Sequence, residues 1–206
     1  MCAVLFLDIN FYSMDTVQVK IIIGSTRENR FADSAGAWIA DELSKQEGVH
    51  TEVLDLRDYP MPFFDSPVSA SRKSEPFAHE AVARFTQKIA EADAYVLVTP
   101  EYNRSTSGVL KNALDWVYQE WHEKPVTFVS YGAVGGARAV EQLRLMAIEL
   151  QMAPIREAIH FAASDYFPVA MGGAPKEELF AKYAQSAESA ITQLLRWTRG
   201  LKKMRE

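Results

Sequence analysis

A short polar turn that could bind an anion follows the first strongly apolar segment of the chain. The apolar segment is VQVKIII, residues 17–23, and the turn is GSTRENR, residues 24–30. The turn offers two hydroxyls and two guanidiniums, from Ser25, Thr26, Arg27 and Arg30. If a helix begins directly after it, the free amides and the dipole of that helix also attract an anion. The turn matches neither the Walker A nor the GxGxxG pattern. Taken alone, it is as typical of a solvated surface loop as of an anion-binding site.

A second candidate loop is TPEYNRSTSG, residues 99–108, which follows the apolar segment AYVLV. Pro100 cannot donate a ladder hydrogen bond, so it marks the end of a strand. Glu101, Tyr102 and Asn103 then form a turn whose amides and Asn103 side chain suit the carbonyl-rich edge of a planar heterocycle, with Tyr102 as an apolar wall. The serines that follow are good helix caps.

A third loop, SYGAVGGAR at residues 130–138, has glycines that leave its backbone unobstructed at another helix start. By itself this loop is typical of an ordinary strand-to-helix turn. The three loops nevertheless follow three strand-like segments of one predicted sheet. Because the carboxyl ends of parallel strands lie at one edge of a sheet, where ligands bind, we expect the loops to converge on one pocket.

The elements that would position these loops alternate between strand and helix. Short apolar runs predict buried strands, and apolar residues at helical spacing predict helices. The predicted strands cover 17–24, 49–56, 94–100, 125–132 and 155–161. The predicted helices cover 31–43, about 77–91, about 107–121, about 136–150 and 176–197. This order predicts an α/β fold with a five-stranded parallel sheet and helices on both faces, and a long loop carrying four prolines at 57–76.

Composition narrows the function classes. The net charge of -5 argues against a nucleic-acid-binding surface. The four histidines lack ligand-like spacing and Cys2 is the single cysteine, so no metal site or internal disulfide is predicted. These features suit a cytoplasmic protein, without a membrane role.

We expect one domain over residues 14–206. Residues 1–13 are apolar but lack a basic start and are too short to cross a bilayer. We interpret them as a dispensable extension before Met14, either an upstream start or a non-native segment. The other reading is a genuine extra strand at the sheet edge.

The motifs together resemble the NADPH-dependent FMN reductase family, which includes flavodoxin-like quinone, azo-dye and chromate reductases. The resemblance lies, in this order, in GSTRENRFADSAGAWI, MPFFD, TPEYNRSTSGVLKNALDW and SYGAVGGARAVEQLR. It implies a flavodoxin-like three-layer sandwich that binds FMN. The implied phosphate-binding residues are Ser25, Arg27 and Arg30, with Thr26 and Phe31 nearby. The implied neighbours of the flavin ring are Pro100, Glu101, Tyr102 and Asn103 on one side and Ser130, Gly132 and Gly135 on the other.

The resemblance also implies a reaction. Hydride would pass from NADPH or NADH through the flavin to quinones, azo compounds, free flavin or similar acceptors, with no catalytic side chain assigned. The alternative is a flavin-binding redox sensor or partner-binding protein whose turnover is incidental. A homodimer or homotetramer is expected by resemblance, and Trp116, Tyr118 and Trp121 could pack in such a contact or in the core of the monomer.

Overall fold

One parallel sheet forms the centre of the computed structural model, which describes residues 16–73 and 78–206. Its strands are β1 Val17–Ile23, β2 Val49–Asp55, β3 Ala94–Pro100, β4 Pro125–Tyr131, β5 Ala153–Pro154 and β6 Ile159–Phe161. The helices are α1 Ala32–Ser44, α2 Glu80–Ala90, α3 Gly108–Trp116, α4 Ala137–Glu149, α5 Ala163–Ala170 and α6 Lys176–Arg205. Short 3₁₀ turns lie at Leu56–Asp58, Ala70–Arg72 and Gln119–Trp121.

The sheet has the order β2-β1-β3-β4-β5, and every pair of neighbouring strands is parallel. This is the doubly wound order of flavodoxin-like folds. Helices cover both faces, so the predicted α/β class and three-layer sandwich are confirmed. The expectation that residues 1–13 are a dispensable extension concerns a segment outside the residues that the structure describes.

The fifth strand position is split, which the sequence did not predict. Both β5 and β6 pair with β4, at its start and at its end respectively. Between them, side chains take over the backbone hydrogen bonds: Arg144 donates to the Ile155 carbonyl, and the Glu157 amide donates to Gln193 Oε1 over 2.9 Å. The prediction of one strand over 155–161 is therefore wrong for its first half, because α4 and α6 satisfy that backbone.

Two apolar layers fill the space between the sheet and its helices. One lies under α1, α5 and α6, and the other lies under α2, α3 and α4. Trp116 and Trp121 are 1% and 0% exposed in the second layer. Their predicted role in packing is confirmed, and the burial of both side chains within the chain leaves them unavailable to a partner.

Two further helix boundaries differ from the prediction. The helix expected to reach residue 121 ends at Trp116, where Val117 turns to an extended conformation and the Trp116 Nε1–H donates to the Pro62 carbonyl. The last helix continues beyond 197 because Lys202 and Arg205 each reach the Asp93 carboxylate at 3.1 Å. Helix α5 was missed: it is only eight residues long and contains Pro168, a residue that usually breaks helices.

Candidate functional site

Three loops meet at the carboxyl edge of the sheet, as predicted. We call residues 24–30 the arginine loop, 100–107 the EYN loop and 130–138 the glycine loop. The first two are joined because the Gly24 amide donates to the Val98 carbonyl at 2.8 Å and the Ser107 hydroxyl donates to the Gly24 carbonyl. The Ser107 hydroxyl also caps α3 by accepting from the Leu110 amide, so one side chain sets both the helix start and the loop contact.

The two arginines of the arginine loop have opposite surroundings. Arg30 is buried; its Nε–H donates to Asp33 Oδ1 at 2.7 Å and its other nitrogens bond Asp55 and the Ser25 carbonyl. Burial would raise the pKa of Asp55, but hydrogen bonds from Arg30 and Arg57 outweigh burial and hold this pKa at about 2. The structure thus brings the Arg30 guanidinium to two carboxylates instead of to the exposed side of the loop.

Arg27 is exposed and lies over the ring of Tyr102, with 5.9 Å from its guanidinium carbon to the ring centroid. The backbone amides of residues 28–31 lie next to Arg27 in the chain. They donate no hydrogen bond to any residue that the structure describes. Unpaired amides at the start of a helix, beside a cation, form an anion-binding surface. This surface carries one available guanidinium, whereas the sequence predicted two.

The EYN loop contains a tight turn that presents Tyr102. Tyr102 and Ser105 exchange backbone hydrogen bonds of 2.9 and 3.0 Å, and Asn103 and Arg104 between them have φ values of 48° and 70°. Asn tolerates this left-handed conformation, whereas an Arg there costs about 1 kcal/mol. The Tyr102 hydroxyl lies 3.1 Å from Ser25 Oγ, which connects the EYN loop to the arginine loop at the pocket.

The side chains of Ser130 and His160 hold the glycine loop, and of these two residues the sequence predicted Ser130. The buried Ser130 hydroxyl donates to the Gly135 carbonyl at 2.8 Å and lies 2.8 Å from His160 Nδ1. Burial lowers the pKa of His160, which favours the neutral ring. Gly136 has a φ of 76°, and a Cβ there would lie 2.7 Å from Ser130 Cβ, so this turn requires glycine. Ser130 supports the loop from below, and His160 carried no sequence signal because it comes from a different strand.

Glu101 connects the EYN loop to the glycine loop. Its carboxylate is 4% exposed and accepts from the Arg138 amide at 3.1 Å and from Arg138 Nε at 2.5 Å. A Cβ at Gly132 would lie 2.8 Å from Glu101 Cβ, so the two loops touch there. Glu101 also donates its amide to the Tyr131 carbonyl. The ion pair between Glu101 and Arg138 therefore sets the spacing of the two loops. The sequence analysis included Arg138 in the glycine-loop motif but assigned it no role.

The remaining predicted residues are divided between surface and interior. Thr26 and Asn103 are exposed at the pocket, and Pro100 is buried at the end of β3. Phe31 belongs to the core, where its ring lies 5.1 Å from that of Tyr131 and 5.5 Å from that of Tyr166. The structure therefore brings together Thr26, Arg27, Tyr102 and Asn103 on the open side of the loops. It places the other predicted residues behind them: Ser25, Arg30, Phe31, Pro100, Ser130, Gly132 and Gly135.

Tyr131 and Tyr166 stand next to this pocket and were not predicted. Their ring centroids are 5.4 Å apart. Burial raises the pKa of both phenols, and Tyr102 contributes to each shift. Both side chains therefore stay neutral hydrogen-bonding groups in the physiological pH range.

The match to known proteins agrees with this geometry. Residues 17–166 match the family model described as NADPH-dependent FMN reductase. The chain belongs to this family. An NAD(P)H-dependent FMN reductase of Schizosaccharomyces pombe is 34% identical over 146 residues, which cover 70% of this chain and 73% of the relative. A 2-hydroxy-1,4-benzoquinone reductase of a Burkholderia species is 31% identical over 180 residues, covering 82% and 91%.

A solved structure supports the fold. The flavoenzyme NAD(P)H:(acceptor) oxidoreductase of Paracoccus denitrificans superimposes with a TM-score of 0.64 at 24% identity, covering 89% of this chain and 98% of that one. Within residues 16–73 and 78–206, no helix is long and apolar enough to cross a membrane. Over the same residues, no group of three or more His, Cys, Asp or Glu side chains could hold a metal ion.

Proposed function

We propose that the chain binds FMN at the arginine, EYN and glycine loops. With FMN bound, it would transfer hydride from NADPH or NADH to quinones, azo compounds, free flavin or similar small acceptors. The observation that carries this proposal is the arginine loop, where an exposed guanidinium and unpaired amides lie beside two loops built for close approach. The relatives are named for FMN and quinone reduction, which supports the same function.

The phosphate of FMN fits the arginine loop. A phosphate monoester carries up to two negative charges, and the loop offers Arg27, the exposed Thr26 hydroxyl and the amides before α1. The buried Ser25 supports this surface from behind, through the hydrogen bond between its hydroxyl and that of Tyr102. Arg30 then acts as a positioning residue, because its bonds to Asp33 and Asp55 fix the loop that presents Arg27.

The flavin ring fits between the EYN and glycine loops. Tyr102 offers an aromatic face, and Asn103 offers amide donors and an acceptor for the polar ring edge. Gly132 lets the two backbones approach at Glu101, and Gly135 lets the glycine loop approach His160 behind it. Ser130 holds the glycine loop in place from the interior.

Bound FMN supplies the hydride and electron chemistry, so the protein needs to bind, orient and shield it. Tyr102 and Asn103 shape the reacting face. Tyr131 and Tyr166 exclude water beside it, since both side chains are buried. No side chain of this chain has to act as a nucleophile.

We also propose a single domain over residues 14–206, a homodimer or homotetramer, and a cytoplasmic location. Both helical layers pack on the one sheet, which supports a single domain. On α4, Leu145 and Ile148 are 64% and 63% exposed, and side chains of this kind are commonly covered in an oligomer. The single cysteine suits a reducing compartment.

An anaerobic visible spectrum of the FMN-reconstituted protein tests the function. We expect flavin bands that bleach on addition of NADPH and return when a quinone is added. Flavin bands that persist in the presence of both NADPH and NADH would favour a redox sensor or carrier. Absence of flavin binding would refute the proposal.

A further inference from the structure

A cavity of about 250 Å³ lies next to the arginine loop, at the carboxyl ends of β1 and β2. Thr26 belongs both to the arginine loop and to the lining of this cavity. The rest of the lining comes from the segment after β2, including Arg57, Tyr59 and Met61, and from Val109 on α3. Of the flavin contacts described above, Thr26 alone borders this space.

The far wall of the cavity is fixed by hydrogen bonds to α3. Asn112 Oδ1 accepts from the Phe64 amide at 2.9 Å, and its Nδ2 donates to the Pro62 carbonyl at 2.8 Å. The Met61 amide donates to the Tyr59 carbonyl at 2.7 Å. A wall with these bonds is preformed, as small-molecule sites usually are.

Arg57 places a guanidinium at the rim of the cavity, within a cluster in which two arginines face Asp33 and Asp55. Its Nε and Nη2 donate to Asp55 Oδ2 at 3.0 and 2.8 Å, and the side chain is 46% exposed. Within the described residues, its Nη1 donates no hydrogen bond. Asp33 and Asp55 both also accept from the buried Arg30, so Arg57 is not their only counter-charge. Arg57 is therefore held in place with donor capacity left for an anion.

The lining fits a planar base whose ribose carries a phosphate. Leu56, Pro60, Met61 and Val109 supply apolar contacts, Tyr59 supplies an aromatic ring, and Thr26 supplies a hydroxyl. We propose that this cavity receives the adenosine end of NADPH and that Arg57 binds its 2′-phosphate, which NADH lacks. This inference rests on the proposed function.

The position in the sheet allows one dinucleotide to reach both places. Neighbouring strands are about 4.8 Å apart, so the ends of β1 and β2 lie about 10–15 Å from the space between the loops after β3 and β4. An extended dinucleotide spans this distance. Arg57 would then determine which nicotinamide nucleotide the protein prefers. The loops around the flavin would bind the nicotinamide end of NADPH and of NADH equally well.

Steady-state kinetics of the FMN-loaded protein with NADPH and NADH test the proposal. We expect Arg57→Ala to raise the KM for NADPH about tenfold or more, because a hydrogen-bonded charge pair is lost. The KM for NADH and both kcat values should stay unchanged, and Arg57→Lys should recover part of the loss. The control Arg156→Ala removes an arginine that is 90% exposed and distant from the cavity in the fold, and should behave as the wild type. Equal changes with both nucleotides, or no change, would overturn the proposal.

A binding measurement separates this inference from the proposed function. Calorimetric titration of the FMN-loaded protein compares adenosine 2′,5′-bisphosphate with adenosine 5′-monophosphate. We expect the bisphosphate to bind about tenfold more tightly, and Arg57→Ala to abolish the difference. Equal binding by the wild type overturns the inference while leaving flavin reduction intact. If the protein takes up no FMN, the proposed function fails, and the same titration of the isolated protein still decides the cavity.

Discussion

The two edges of the sheet each bury a cation, and they neutralise it in different ways. At the carboxyl edge, Arg30 is bound by the carboxylates of Asp33 and Asp55. At the amino edge, Lys124 is 8% exposed and donates to the carbonyls of Ile89 and Ala90, the last residues of α2, at 2.9 and 3.0 Å. Formal charges cancel at the functional edge once Arg57, which also contacts both carboxylates, is counted. The hydrogen bonds of the lysine go instead to the partial charges of a helix end, and the charges of Asp93 and Glu120 act on it without such a bond.

The difference explains the opposite behaviour of the two cations. Ion pairs keep Arg30 charged and use up its donors, so it stabilises the arginine loop and leaves Arg27 for a ligand. Burial, with a contribution from Arg205, lowers the pKa of Lys124 to about 8, because the attraction of Asp93 and Glu120 does not outweigh its desolvation. One cation supports a site, and the other makes stability depend on pH.

The largest expected effect is the loss of stability in Arg30→Ala. Removing one side of a buried ion pair leaves Asp33 and Asp55 with less compensation, and we expect the free energy of unfolding to fall by about 3 kcal/mol. Urea denaturation followed by tryptophan fluorescence measures it. Arg27→Ala is the matched control and should change stability by less than about 0.5 kcal/mol. Equal losses in both variants would contradict the division of roles.

The second effect concerns Lys124 and alkaline pH. Its pKa is about 8 in the folded state and 10.5 ordinarily, so the unfolded chain binds the extra proton between these values. The unfavourable contribution is therefore full below pH 8 and disappears as pH rises towards 10.5. We expect stability to increase by about 3 kcal/mol over this window, and Lys124→Met to remove this increase. Parallel pH profiles for the two proteins would refute the assignment.

The third effect concerns the ligand at the carboxyl edge. Arg27→Ala should raise the Kd for FMN about 10- to 30-fold because a charge-assisted contact to phosphate is lost. The Kd for riboflavin, which has no phosphate, should remain unchanged. Fluorescence titration with both flavins measures the pair of constants, and an equal loss for both would exclude a phosphate contact.

A smaller effect tests the connection between the EYN and glycine loops. Glu101→Gln keeps the shape of the side chain but removes its charge opposite Arg138, and we expect FMN affinity to fall about 3-fold. Glu141→Gln, on the exposed side of α4, is the control and should leave the Kd unchanged. A Kd that stays constant in both variants would show that the charge of Glu101 does not position the loops.

The smallest expected effect is that of deleting residues 1–13. If this segment is a dispensable extension, the shortened protein should bind the same amount of FMN per chain. The ratio of flavin absorbance to protein absorbance measures this. A colourless, insoluble product would show that the segment is part of the fold.

Much of the fold could be predicted from local sequence. Runs such as VQVKIII and AYVLVTP have the continuous apolar pattern of strands covered on both faces, and their ends were located to within one residue. Helix α5 and the split of the fifth strand were not predicted, because Pro168 argues against a helix and because Arg144 and Gln193 replace strand bonds from distant elements.

For the candidate site, the sequence by itself determined that three polar loops follow three apolar strands, since the composition of strands and loops is local in sequence. It could not separate Arg27 from Arg30, which differ only in where their side chains end. Tertiary structure decided that: Asp55, 25 residues away from Arg30 in sequence, comes to the end of β2 and binds its guanidinium. The roles of His160 and Arg57 were decided in the same way, because charge pairing and cavity walls depend on which distant residues the sheet brings together.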